Sequence, residues 1–104
     1  RRVLFRSDDD PKLPEGALDL ALMVDVYHEL HAPQAVLRRL RQALKPGGRL
    51  VLLEYRAEDP RVPIQVLHKM SVQTAKQEVE HEGFVLSQTI ESLPWQHVLI
   101  FTPR

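Results

Sequence analysis

Residues 18–31, LDLALMVDVYHELH, constrain the fold of this chain more than any other stretch. The first half carries Leu18, Leu20, Ala21, Leu22, Met23, Val24 and Val26, with Asp19 as its one polar exception. A nearly continuous apolar run of this length suits a parallel β-strand covered by helices on both faces. After it the chain turns abruptly to Asp25, Tyr27, His28, Glu29 and His31. An open α/β sheet places its ligand site where a buried strand ends at its carboxyl end among ionisable side chains.

The next segments read as the partners of that strand. Residues 33–44, PQAVLRRLRQAL, put Val36, Leu37, Leu40, Ala43 and Leu44 on one face of a helix and Arg38, Arg39, Arg41 and Gln42 on the other. Pro33 suits the first helical turn, where a missing N–H costs nothing. Lys45-Pro46-Gly47-Gly48 is expected to stop the helix and turn the chain through a left-handed glycine. Residues 49–55, RLVLLEY, read as a second buried strand. Strand, helix and strand make a βαβ unit with a right-handed crossover. Residues 56–63 are a loop, and residues 64–70 a loop with one helical turn at most.

Ser71 is placed to cap a second helix that runs to about Glu82, with Val72, Ala75 and Val79 as its apolar stripe and Gly83 just beyond its end. Residues 84–90 and 96–102 then alternate as strands across the turn at Ser92-Leu93-Pro94, close enough for an antiparallel hairpin. The expected fold class is α/β, in the order β-α-β-α-β-β. Upstream, residues 8–16, DDDPKLPEG, can continue neither regular structure. Residues 1–7 read either as the end of a strand or as a ragged, disordered segment, so that the domain proper spans 8–104.

Composition narrows the function classes. One domain and one core is the limit for 104 residues. The 14 basic and 14 acidic residues cancel, whereas nucleic-acid and anionic-membrane partners favour a basic surface, so neither is expected. No apolar run approaches the roughly 20 residues that span a bilayer, and no signal-peptide core is present, which leaves the cytoplasm as the default location. The absence of cysteine removes disulfides, thiolate metal sites and a cysteine nucleophile. His28-x-x-His31 with Glu29 has a superficial metal-ligand spacing. Pro33 puts these residues in a turn before the helix, however, and no metal site is expected.

The motifs resemble the C-terminal half of the Rossmann-like domain of class I S-adenosylmethionine-dependent methyltransferases. Leu13-Pro14-Glu15-Gly16-Ala17-Leu18-Asp19 resembles the family's lead into its fourth strand, and Leu44-Lys45-Pro46-Gly47-Gly48-Arg49-Leu50 its turn before the fifth. Glu82-Gly83-Phe84 and Leu93-Pro94-Trp95-Gln96 resemble its later helix end and terminal hairpin. The glycine-rich G-x-G-x-G turn after the family's first strand is absent. Gly47-Gly48 lies at a helix-to-strand turn on the opposite rim and is no cofactor cradle. The resemblance therefore implies a fragment, inactive alone, whose first long strand is left as an unpaired apolar edge prone to self-association.

The resemblance also implies roles for individual residues. Asp9, or Asp10 next to it, falls where the family's adenine-binding acid stands; the alternative is a solvated acidic loop. Val26 and Tyr27 would line the S-adenosylmethionine site, with Tyr27 packing on the sulfonium through cation–π attraction. His28 is the candidate base for a small-molecule acceptor, and Glu29 would orient it or bind the acceptor. Glu54, Tyr55 and His68 would line the acceptor pocket. His81 and His97 read as surface or hairpin residues. Two other readings compete with methyl transfer to a small molecule. One is a non-catalytic α/β module that associates through its sheet edge. The other is a nicotinamide-dependent oxidoreductase, for which the terminal hairpin and the LKPGG turn are poor matches.

Overall fold

The computed structural model describes residues 13–104; the readings placed on residues 1–12, Asp9 and Asp10 among them, lie outside these described residues. The order is β1 (Leu18–Val24), α1 (Pro33–Ala43), β2 (Leu44–Arg56), β3 (Lys69–Met70), α2 (Val72–His81), β4 (Phe84–Ile90) and β5 (Gln96–Pro103), with 3₁₀ turns at Tyr27–Glu29 and Val66–His68. The expected α/β order holds, with β3 as an added short strand. β1 pairs in parallel with β2, and β2 and β4 each pair antiparallel with β5, giving the sheet order β1-β2-β5-β4. Tyr55 faces Gln96 on one side and Lys69 on the other, so β3 lies beside the last residues of β2, beyond the point where β1 ends.

One face of the sheet carries the core. Leu18, Ala21, Met23, Leu50, Leu52, Phe84, Leu99 and Phe101 pack there against Val36, Leu37, Leu40 and Ala43 of α1 and Ala75 and Val79 of α2. Each fully buried leucine or phenylalanine on this face contributes about 1.5–3 kcal/mol relative to exposure. The expectation that β1 is covered by helices on both faces is not met. Both described helices pack on the same side, and Leu20, Leu22 and Val24 stay 37%, 52% and 46% exposed on the other. An apolar run alone cannot distinguish a strand covered twice from a strand whose second face is apolar but bare.

Lys45-Pro46-Gly47-Gly48 ends α1 one residue earlier than the sequence suggests. It becomes a bulged start of β2 rather than a free turn. Leu18 pairs with Leu44 while Leu20 pairs with Arg49, so three more residues are spent on β2 than on β1. The expected left-handed glycine is Gly47, at φ +81°. Gly48 is needed for a different reason: a Cβ there would sit 2.9 Å from the Lys45 carbonyl oxygen and 3.2 Å from that of Leu18. The second helix begins as expected, with the Ser71 hydroxyl accepting from the Thr74 N–H at 3.1 Å.

Candidate functional site

β1 ends at Val24, two residues short of the predicted span, because Asp25 adopts a left-handed backbone at φ +54°. Aspartate is among the few non-glycine residues that tolerate this region. Its N–H still donates to the Leu53 carbonyl at 2.8 Å, and its two carboxylate oxygens each accept from Gln96 Nε2 at 3.0 Å. This ties the end of β1 to β5 and throws the chain into the 3₁₀ turn Tyr27–Glu29. Beside it opens a cleft of about 260 Å³, lined by Asp25, His28, Glu29, Tyr55, Ile64 and His68. The turn Val66–His68 brings His68 in from above.

His28, Glu29, Tyr55 and His68 therefore meet at one place, as the sequence suggests. Glu54 does not join them in the cleft. It alternates with Tyr55 along β2, so its side chain falls on the helix-covered face, fully buried. There Oε1 lies 2.6 Å from His28 Nδ1, while Oε2 has no partner. In its ionised form Glu54 can only accept, and a neutral imidazole satisfying that contact donates from Nδ1 and keeps its lone pair on Nε2. His28 Nε2 lies on the His68 side, 3.4 Å from Nδ1 of that ring. The orienting residue is thus Glu54, not Glu29, which is exposed. Burial pushes the Glu54 carboxyl above its ordinary range; the contact with His28 partly offsets this, and the Asp25 charge adds to it.

Tyr27 is placed elsewhere. Its ring is 2% exposed within the core and its hydroxyl donates to Glu78 Oε1 at 2.8 Å, between the two helices. Burial, and then the carboxylate of Glu78, push its phenol far above the usual range. A tyrosine anchored this way is not free to cover a sulfonium in the cleft, so that role is withdrawn. Val26 packs against the core and does not line the cleft. His97 is also corrected. It is buried on β5, with Nδ1 3.0 Å from Glu91 and Nε2 3.0 Å from the Met70 carbonyl and 3.1 Å from Glu58. His97 does lie in the terminal hairpin, but buried in it, while His81 is exposed as expected.

Asp25 lines the cleft as one of the ionisable residues expected at the strand end, though without a predicted role of its own. Sequence reasoning missed Ile64, because it sits in a loop without periodicity. It also missed the role of Arg56, whose side chain donates to Glu91 Oε1 and to the carbonyls of Glu91, Leu93 and Pro94. Those bonds fix the β4–β5 connection, and with it Gln96 against Asp25. Among the described residues, no helix is long and apolar enough to cross a membrane.

Comparison with known proteins gives a consistent picture. The sequence matches a methyltransferase-domain family over residues 1–97. It is 45% identical over 51 residues to highly reducing polyketide synthase 2 of Gibberella zeae, a stretch that is 49% of this chain and 2% of that protein. The fold superposes on a SAM-dependent methyltransferase from Aquifex aeolicus with TM-score 0.85 at 20% identity, over 98% of this chain and 54% of the other. It also superposes on an O-methyltransferase from neocarzinostatin biosynthesis, solved with S-adenosyl-L-homocysteine and 1,4-dihydroxy-2-naphthoic acid. There the TM-score is 0.76 at 19% identity, over 98% of this chain and 34% of the other. The chain thus spans about half, or less, of the structures it resembles, and a small fraction of the polyketide synthase.

Proposed function

This chain belongs to the methyltransferase-domain family and carries part of the class I S-adenosylmethionine-dependent fold; from that premise we propose that it is the acceptor-side portion of an enzyme that methylates a small molecule. The observation that carries this reading is the His28 ring, oriented from below by a fully buried Glu54, at the wall of a cleft at the carboxyl end of β1. When bound, S-adenosylmethionine would supply an activated methyl group, the C–S bond breaking with its electron pair left on sulfur as the bond to the acceptor forms. The described residues fit the receiving side of that transfer. The buried Glu54 fixes the histidine tautomer that presents a lone pair, and Tyr55 and Ile64 give the cleft an apolar wall.

The chemistry asked of this chain is positioning and proton removal. Holding an acceptor in line with the methyl group is worth effective molarities of about 10⁵–10⁸ M when the geometry is right. As the new bond forms, an acceptor O–H or N–H loses its proton to His28 Nε2, and the charge that develops on the imidazole is stabilised by Glu54 through Nδ1–H. Residues 13–104 hold no glycine-rich strand-to-helix turn to grip the nucleoside, so that grip would come from elsewhere in the protein.

The test is the intact protein with His28→Ala and His28→Asn. Both are expected to lower turnover by about 10²–10⁴-fold while S-adenosylmethionine still binds in calorimetry. Full turnover by either variant would remove the base from the proposal. Failure of the wild-type protein to bind S-adenosylmethionine would remove methyl transfer itself. A second reading, a non-catalytic module associating through β1, is favoured by the exposed Leu20, Leu22 and Val24 on a strand that is an edge among the described residues.

A further inference from the structure

His28, Glu29 and His68 do more than line a cleft. One ligand-capable atom from each lies within 4.8 Å of the others. The two ring nitrogens, His28 Nε2 and His68 Nδ1, are 3.4 Å apart. That is long for a hydrogen bond. It is, however, the spacing of two nitrogens on one ion: bonds of 2.0–2.1 Å at a tetrahedral angle separate them by about 3.3–3.4 Å. The rings do not stack; their planes meet at 76° with centroids 5.5 Å apart. Behind His28 stands the buried Glu54, 2.6 Å from Nδ1 and carrying an oxygen with no other partner. Histidines that bind metals characteristically donate their second N–H to a carboxylate, which fixes the tautomer and makes the ligating nitrogen more basic.

We propose that His28 Nε2, His68 Nδ1 and the Glu29 carboxylate form a binding site for a divalent transition-metal ion, Zn²⁺ suiting it best, with Glu54 as the carboxylate behind the histidine. Two imidazoles and a carboxylate suit zinc rather than magnesium or calcium, which take oxygen ligands. Three protein ligands leave a fourth position for water or an acceptor oxygen. Glu29 and His68 are exposed, so the ion has an open path from solvent. The sequence-level argument against a metal concerned His28 and His31. His68 is 40 residues away and reaches the site only because the turn Val66–His68 folds over the end of β2.

Metal binding is measurable without methyl transfer and does not depend on it. Its consequence does rest on the proposed function: an ion on Nε2 occupies the lone pair that would take the acceptor proton, so Zn²⁺ should inhibit. Titration of the intact, metal-free protein with Co²⁺ is expected to give the visible absorption of a low-coordinate Co²⁺ centre, displaced by Zn²⁺. His68→Ala and Glu29→Ala should each weaken binding at least tenfold, Glu54→Gln by about 10–100-fold, and His31→Ala not at all. Circular dichroism confirms that each variant is folded. No Co²⁺ spectrum, or one that survives His68→Ala unchanged, overturns the site. Loss of binding in His31→Ala would place the ion on the local pair and overturn it equally. If Co²⁺ binds as expected but Zn²⁺ leaves turnover intact, the site stands and the base role of His28 fails.

Discussion

At the scale of single residues, Glu54 is the side chain on which the others depend. It is a carboxylate that follows the apolar run Leu50–Leu53 of β2, on the face that helices cover, with one oxygen bonded to His28 and the other bonded to nothing. Because its carboxyl is raised above the unfolded value, the native state holds its proton more tightly than the unfolded chain does. Its contribution to stability is complete below the unfolded value and is lost as pH rises through the raised native one. Glu54→Gln removes that ionisation. Denaturant melts across this window should therefore show the wild type losing ground to Glu54→Gln as pH increases, while methyl transfer by Glu54→Gln falls because the His28 tautomer is no longer fixed. A stability difference that stays flat with pH would show that Glu54 ionises in the native state as easily as in the unfolded one. The pairing was only half legible in the sequence. A lone Glu in RLVLLEY announces that it needs a partner, but not that the partner is His28, 26 residues earlier on another element.

At the scale of elements, the bulge at the start of β2 sets the register that brings β1 and β2 to the cleft together. Leu18 opposite Leu44 and Leu20 opposite Arg49 require Lys45–Gly48 to be accommodated without displacing β1, and the close approach of the Lys45 and Leu18 carbonyls to Gly48 is how this is done. Gly48→Ala should cost about 1–3 kcal/mol, since a backbone atom has to move to admit the methyl group. Urea unfolding would read it, and an unchanged midpoint would mean that the bulge yields freely. The elements themselves were largely legible. Helical spacing marked α1, the Ser71 cap marked α2, and alternation marked the hairpin. What escaped had no local signature. β3 is two residues long and exists only because Tyr55 and Arg56 run on past β1. Tyr27 lies beside His28 in sequence, yet the 3₁₀ turn sends one ring into the core and the next to the cleft. A turn of three residues per revolution separates neighbours by about 120°, and nothing in the residue types says which of them faces inward.

At the scale of the whole molecule, the two edges of the sheet are treated differently. β4 is blunted as edge strands usually are: Ser87, Gln88 and Thr89 point polar groups outward and a register break falls between Leu86 and Gln88. β1 has these devices only at its start, where the register breaks between Leu18 and Leu20 and Asp19 is exposed; from Leu20 to Val24 it has neither. Among the described residues its outer edge has no strand partner, and its uncovered face presents Leu20, Leu22 and Val24 side by side with the partly buried Val51 and Leu53 of β2. An edge that combines free backbone donors and acceptors with an apolar surface is a site at which another strand or chain adds. The 104-residue chain by itself should therefore associate as its concentration rises, through β1 and not through β4. Leu22→Lys places a charge at the middle of that strand on a side chain that is 52% exposed, so it costs the core little. Sedimentation velocity should show the wild type growing in mass with concentration and Leu22→Lys remaining near 12.0 kDa. Thr89→Lys on the opposite edge should associate like the wild type. If instead both variants stay monomeric, or neither does, the asymmetry of the two edges does not govern association. If the wild type is itself monomeric at all concentrations, the bare face of β1 is tolerated in solution and the reading of this chain as an interaction module falls with it.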